Sequence, residues 1–229
     1  MRARSILCAL FVQMVTLCGC NDHDSARSEY NKGVALSRAG EWKAAIDAFT
    51  TAIHLKPDDA EAHVNRGSAY GETGDRQKQM ADYARAIQLK PDLAVAYYNR
   101  GYIHAKDNDF DKAMPDLTEA IKLKPDYAKA YDTRGAIYIK KREWDMAIED
   151  LSKAIRLRPS YARSYFNRAY AFDEKGDYDD AIDDLTEAIH LQPKTAVFYR
   201  NRGIAFRNKG DLKQAEADAS QARELGYNP

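Results

Sequence analysis

The chain has 229 residues, 45% hydrophobic and 31% charged, enough to bury a sizeable core and too apolar in pattern for disorder. Lys plus Arg and Asp plus Glu both total 35, so no excess of positive charge offers an electrostatic footprint, and no nucleic-acid partner is expected. The three cysteines, Cys8, Cys18 and Cys20, all precede Asn21, which excludes disulfides, cysteine metal sites and thiol nucleophiles from the rest of the chain.

Arg2 and Arg4 precede an apolar run from Ile6 to Leu17, the charged and hydrophobic parts of an export signal. As a helix the run rises only ~18 Å against a hydrocarbon core of ~30 Å, too short for a good membrane span. It closes on Leu17-Cys18-Gly19-Cys20, which resembles the bacterial lipoprotein signal except that Cys18 stands where Ala or Ser is usual. The resemblance implies removal of residues 1–19, lipidation of Cys20, and a short polar tether over 20–25. A conventional secretory cut nearby is the other reading, and Leu17 disfavours it after Gly19. Without 1–19 the chain holds two more acids than bases, so the bilayer contact expected is the Cys20 anchor alone, whose several acyl chains suffice for stable attachment.

From Ala26 onward the chain repeats. Pro57, Pro91, Pro125, Pro159 and Pro193 recur every 34 residues, as do Gly33, Gly67, Gly101 and Gly135, with Ala169 and Gly203 in the same slot. A fixed period of this length means stacked units. Small residues recur at position 20 of each unit (Ala45, Ala113, Ala147, Ala181, Ala215) and at position 27 (Ala52 through Ala222), where paired helices can approach closely. Phe49, Tyr83, Leu117, Leu151 and Leu185 supply the bulk between them. Each proline stops a helix, Asp58, Asp92 and Asp126 are expected to N-cap the next one, and breakers such as Thr73-Gly74-Asp75 separate the helices of a pair.

The pattern resembles the tetratricopeptide repeat (TPR), over units 26–59, 60–93, 94–127, 128–161, 162–195 and 196–229. The resemblance implies an all-α fold, a right-handed α-solenoid of six helix-turn-helix hairpins, forming one domain over 26–229.

Departures from the pattern carry expectations of their own. Gln79 replaces the small residue of unit two, and Pro115 falls inside a helix, so looser packing and a kink are expected there. Position 7 holds Lys32, Arg66, Arg100, Arg134, Arg168 and Arg202, and position 23 holds Asp82, Asp116, Asp150, Asp184 and Asp218. These ladders are expected to pair. As exposed pairs they would contribute ~0.2–1 kcal/mol each, and Arg134→Met would cost little binding. In unit six the stacking positions become Glu216, Ala219 and Arg223, so the last helix is expected to be its own polar cap. The chain is expected to be a monomer or weak homodimer.

The resemblance implies that positions 2, 5, 6, 9, 12 and 13 of each first helix line a concave surface. Position 6 reads Asn31, Asn65, Asn99, Thr133, Asn167 and Asn201, and an amide pairs with a peptide C=O and N–H together. This is similar to the asparagine ladder of O-linked N-acetylglucosamine transferases, which clasps a substrate backbone; the alternative is that Asn was copied with the repeat. Beside it, Tyr30, Tyr98, Tyr102, Phe166 and Tyr170, with Arg200, complete the expected peptide-binding set. Charged groove positions, Lys106, Lys140 and Arg163 against Glu61, Asp132, Asp173 and Glu174 among others, are mixed in sign and dictate no single ligand charge. Position 5 has no Lys and position 9 no Asn, which disfavours a carboxylate-gripping cochaperone.

The five histidines show no zinc-type pairing, and the acids around Asp179 and Asp180 suit a helix start better than a calcium loop. No phosphate loop, dinucleotide motif or nucleophile elbow occurs, so no catalysis, metal or cofactor is expected. The expectation is a lipid-anchored bacterial protein facing the periplasm and binding extended segments of other proteins. The alternative is a structural subunit of a secretion or pilus-assembly complex held through its convex face and array ends.

Overall fold

The computed structural model describes residues 23–227, so the leader and Cys20 lie outside the described residues. The described residues form twelve α-helices and no strand: α1 (23–38), α2 (Trp42–Leu55), α3 (Ala60–Glu72), α4 (Arg76–Leu89), α5 (Ala94–Lys106), α6 (Phe110–Leu123), α7 (Ala128–Lys140), α8 (Trp144–Leu157), α9 (Ala162–Lys175), α10 (Tyr178–Leu191), α11 (Ala196–Lys209) and α12 (Leu212–Glu224). The expected all-α fold of six helix-turn-helix hairpins is therefore present. Residues 23–25, expected as tether, are helical.

Five of the six second helices end two residues before a proline, at Leu55, Leu89, Leu123, Leu157 and Leu191, because proline disfavours the helical conformation of the residue preceding it. The N-cap assignments shift by one. Asp59, not Asp58, caps α3, its carboxylate accepting from the Ala62 N–H at 3.0 Å. Asp92 and Asp126 lie in the proline turn and accept through their backbone oxygens from Ala94 and Ala128. Within hairpins the turn needs a left-handed residue. Gly40, Gly74, Gly176 and Gly210 supply it at φ of 78°, 82°, 88° and 97°, while Asn108 and Arg142 occupy the same slot at 59°.

The chain divides into two compact units, Met1–Arg100 and Gly101–Pro229, with the division inside α5. In the first, α2 packs on α3 and α3 on α4 around Phe49, Tyr83 and the fully buried Ala45, Ala62 and Ala86. A Cβ on Gly33 would stand 2.6 Å from the Phe49 ring, which is why that slot is small. Gln79 does not loosen its hairpin. A Cβ on Gly71 would lie 2.2 Å from Gln79 Nε2, so the missing side chain at 71 houses the large one at 79.

In the second unit α6 to α12 pack in chain order, and α9 also touches α7 and α11 across the intervening helices. Leu117, Leu151 and Leu185 sit between helices at the bulky position, all buried. Pro115 does not break α6, which runs unbroken from Phe110 to Leu123 with Ala113, Leu117 and Ala120 fully buried. Pro115 faces solvent, and its ring displaces no core side chain. At the last helix, exposed Arg223 donates to Glu216 at 3.1 Å and to Ser220 at 2.9 Å, the polar outer face expected of a cap. The chain then turns back at Gly226, φ 88°, and lays the Tyr227 ring beneath the Arg200 guanidinium at 5.3 Å.

Candidate functional site

In repeats two, four, five and six the position-7 arginine pairs with the position-23 aspartate of its own repeat, and these pairs are largely buried. Arg134 donates from Nε to Asp150 Oδ2 at 2.7 Å and from Nη2 to Oδ1 at 2.9 Å, with side chains only 16% and 7% exposed. Arg66 with Asp82, Arg168 with Asp184 and Arg202 with Asp218 repeat this two-pronged geometry. The third guanidinium nitrogen reaches the preceding repeat, Arg66 donating to Thr50, Arg134 to Thr118, Arg168 to Ser152 and Arg202 to Thr186. Because each aspartate is buried, the surface-pair magnitude expected above is too small, and Arg134 is a structural group. His63 adds a contact to Asp82 at 3.0 Å. Burial pushes the Asp82 carboxyl up, but hydrogen bonds from Arg66 and His63 outweigh it and hold it below the ordinary value.

The first-helix faces carry the candidate peptide-binding residues. In the first unit Asn65 donates from Nδ2 to the Tyr30 hydroxyl at 2.9 Å, and the Tyr30 ring meets Phe49 edge-on at 5.9 Å. Asn31 is exposed, while Asn99 and Tyr98 are half-buried. No asparagine of the row is fully buried, but Asn65 has already committed one amide proton.

In the second unit, two of the pockets along the first helices are lined by residues of the expected set. One, of about 330 Å³, brings Tyr102, Lys106, Thr133, Lys140, Arg163 and Asn167 together from α5, α7 and α9. The other, of about 220 Å³, brings Phe166, Tyr170, Asp173, Glu174, Arg200 and Asn201 together from α9 and α11. Tyr170 is 44% exposed and edge-on to Trp144, and Phe166 tilts against Phe198 at 5.3 Å between centroids. Asn201 donates to the Val197 carbonyl at 3.1 Å and accepts from Arg200 at 3.3 Å, so its amide is partly spent inside its own helix. Burial lifts the Asp173 carboxyl above its ordinary value, Asn208 opposes this with a hydrogen bond, and Glu174 adds to it.

Asp132 corrects the groove assignment. It is 0% exposed, accepting from the Ser164 hydroxyl at 2.7 Å and from Arg163. Ser164 replaces the Ala of units two to four, and Asp132 replaces the aromatic or aliphatic side chain of units one to three. That paired departure was the available signal for a buried link 32 residues apart.

Three family models match the chain. Two described as tetratricopeptide repeat cover 94–127 with 162–195, and 60–93; one described as TPR repeat covers 33–74 and 135–176. The chain belongs to the tetratricopeptide-repeat family. No curated protein matches. Among solved structures, the TPR chain is similar to YrrB, a TPR protein with an unusual peptide-binding site, at TM-score 0.70 and 20% identity over 79% of this chain and 93% of that one. It is also similar to pilF of Pseudomonas aeruginosa, at TM-score 0.80 and 16% identity over 90% and 94%. PilW, a widely conserved type IV pilus biogenesis factor, aligns at TM-score 0.75 and 16% identity over 87% and 92%. At these identities the likeness is one of fold. A TPR array is a protein-interaction scaffold, and no helix among the described residues of this one is long and apolar enough to cross a membrane.

Proposed function

We propose that this TPR protein is a bacterial lipoprotein, anchored at Cys20 with its repeats facing the periplasm, that holds an extended segment of a partner protein against its first-helix faces. The observation that carries this is the pair of pockets of the second unit, each lined by aromatic rings and an asparagine of the expected set: Tyr102 with Asn167, and Phe166 and Tyr170 with Asn201. An amide beside a rigid ring suits a main chain and one side chain at once. Leu17-Cys18-Gly19-Cys20 supports the anchor, and Cys20→Ala is expected to move the protein from the membrane to the soluble fraction.

A second reading, a structural subunit of an envelope assembly held through the opposite face and the ends, has its support in the likeness to PilW, a pilus biogenesis factor. A pull-down from membranes with an Asn65, Asn99 and Asn167 triple-alanine variant separates the two. Lost partner recovery is expected; recovery equal to the parent removes the groove reading. Under the second reading Glu216→Lys, at the exposed end, is the damaging change.

A further inference from the structure

The larger of the two pockets is charged in one sense only. Lys106, Lys140 and Arg163 line it, and no aspartate or glutamate does. Lys106 and Lys140 stand at the ends of α5 and α7, and neither ammonium meets a carboxylate among the described residues. Arg163 has its partner already. The fully buried Asp132, itself fixed by the Ser164 hydroxyl, takes the guanidinium and sets it at the pocket wall. The floor is apolar, from Phe110, Ala136 and Ile137, and Asn167 offers an amide beside it. The neighbouring pocket is mixed in sign, with Asp173 and Glu174 beside Arg200 in its lining, so the unopposed positive charge is local and is not a property of the whole face.

We infer that the pocket between α5, α7 and α9 receives an acidic side chain, Asp or Glu, of the bound partner segment, with Lys106 and Lys140 closing on the carboxylate and the aliphatic part lying on Ile137 and Phe110. This rests on the groove reading above. Arg163 already gives Nη2 to Asp132, so the ligand is met chiefly by two compact ammonium groups, which close on a carboxylate as point charges.

The test uses the purified full-length chain and three mixtures of fluorescein-labelled dodecapeptides, random except for one central position fixed as Glu, Gln or Lys. The Glu mixture is expected to bind about tenfold more tightly than the Gln mixture, with the Lys mixture weakest, and the difference should shrink at high salt. Lys106→Met with Lys140→Met should erase the preference for Glu, bringing the Glu and Gln mixtures to equal affinity. Asn167→Ala should weaken all three mixtures alike. Equal binding of Glu and Gln mixtures by the parent, or a preference that survives the double lysine variant, overturns the inference, and if Asn167→Ala still weakens every mixture the groove reading stands without it. Failure of all mixtures to bind overturns both.

Discussion

Arg134 grips Asp150 through two nitrogens, with only 16% of the arginine and 7% of the aspartate side chain exposed. The sixteen-residue spacing to Asp150 announces the pair, but spacing carries no depth, and depth sets the energy. Removing one partner of a buried pair leaves an uncompensated charge, so Arg134→Met is expected to cost about 3–5 kcal/mol in urea unfolding, and Arg134→Met with Asp150→Leu should regain most of it. Asp82 carries a pH signature. Its folded carboxyl sits below the ordinary value of 3.8, so its contribution is complete above about pH 4 and is lost as pH falls through the folded value. An Asp82→Asn variant should show a flatter acid limb below pH 4 in a stability profile. Arg142 holds φ 59° where four other hairpins use glycine, and Arg142→Gly is expected to stabilise by about 1 kcal/mol, read as a higher midpoint in thermal unfolding. The tie between Asn65 and Tyr30 was not legible beforehand, since it depends on a partner in the neighbouring repeat, and the burial of Asp132 was signalled only by its paired departure with Ser164.

At the scale of helices the reading was nearly complete, because proline, glycine and alanine act locally and recur with the period. Where it failed, a compensation one turn away was responsible. Gln79 violates the small-residue rule, and Gly71 restores the volume. Gly71→Ala with Gln79→Ala should therefore be at least as stable as the parent, gaining helix propensity at 71 without the collision, whereas Gln79→Ala alone leaves a void and should be less stable than the double variant by about 1 kcal/mol. Gly135 has no such slack. A Cβ there would stand 2.8 Å from Leu151 Cγ, and Gly135→Ala is expected to cost about 1–3 kcal/mol in chemical denaturation.

For the molecule as a whole, each hairpin is stable in proportion to what it makes with its neighbours. The guanidinium that grips its own aspartate and also the hydroxyl of the repeat before it ties folding of one hairpin to the next. Unit one lacks this device: Lys32 stands in the arginine slot and bonds Glu29 at 3.2 Å, and Ala48 stands in the aspartate slot. The repeats are thus not interchangeable bricks but couplings with a male and a female end. A second copy of 162–195 spliced in after the first would find Thr186 waiting for its arginine, as Arg202 does now, so the protein can lengthen by internal duplication without redesign. A copy of 26–59 placed in the same position would arrive with no prong to insert, and the train would part there.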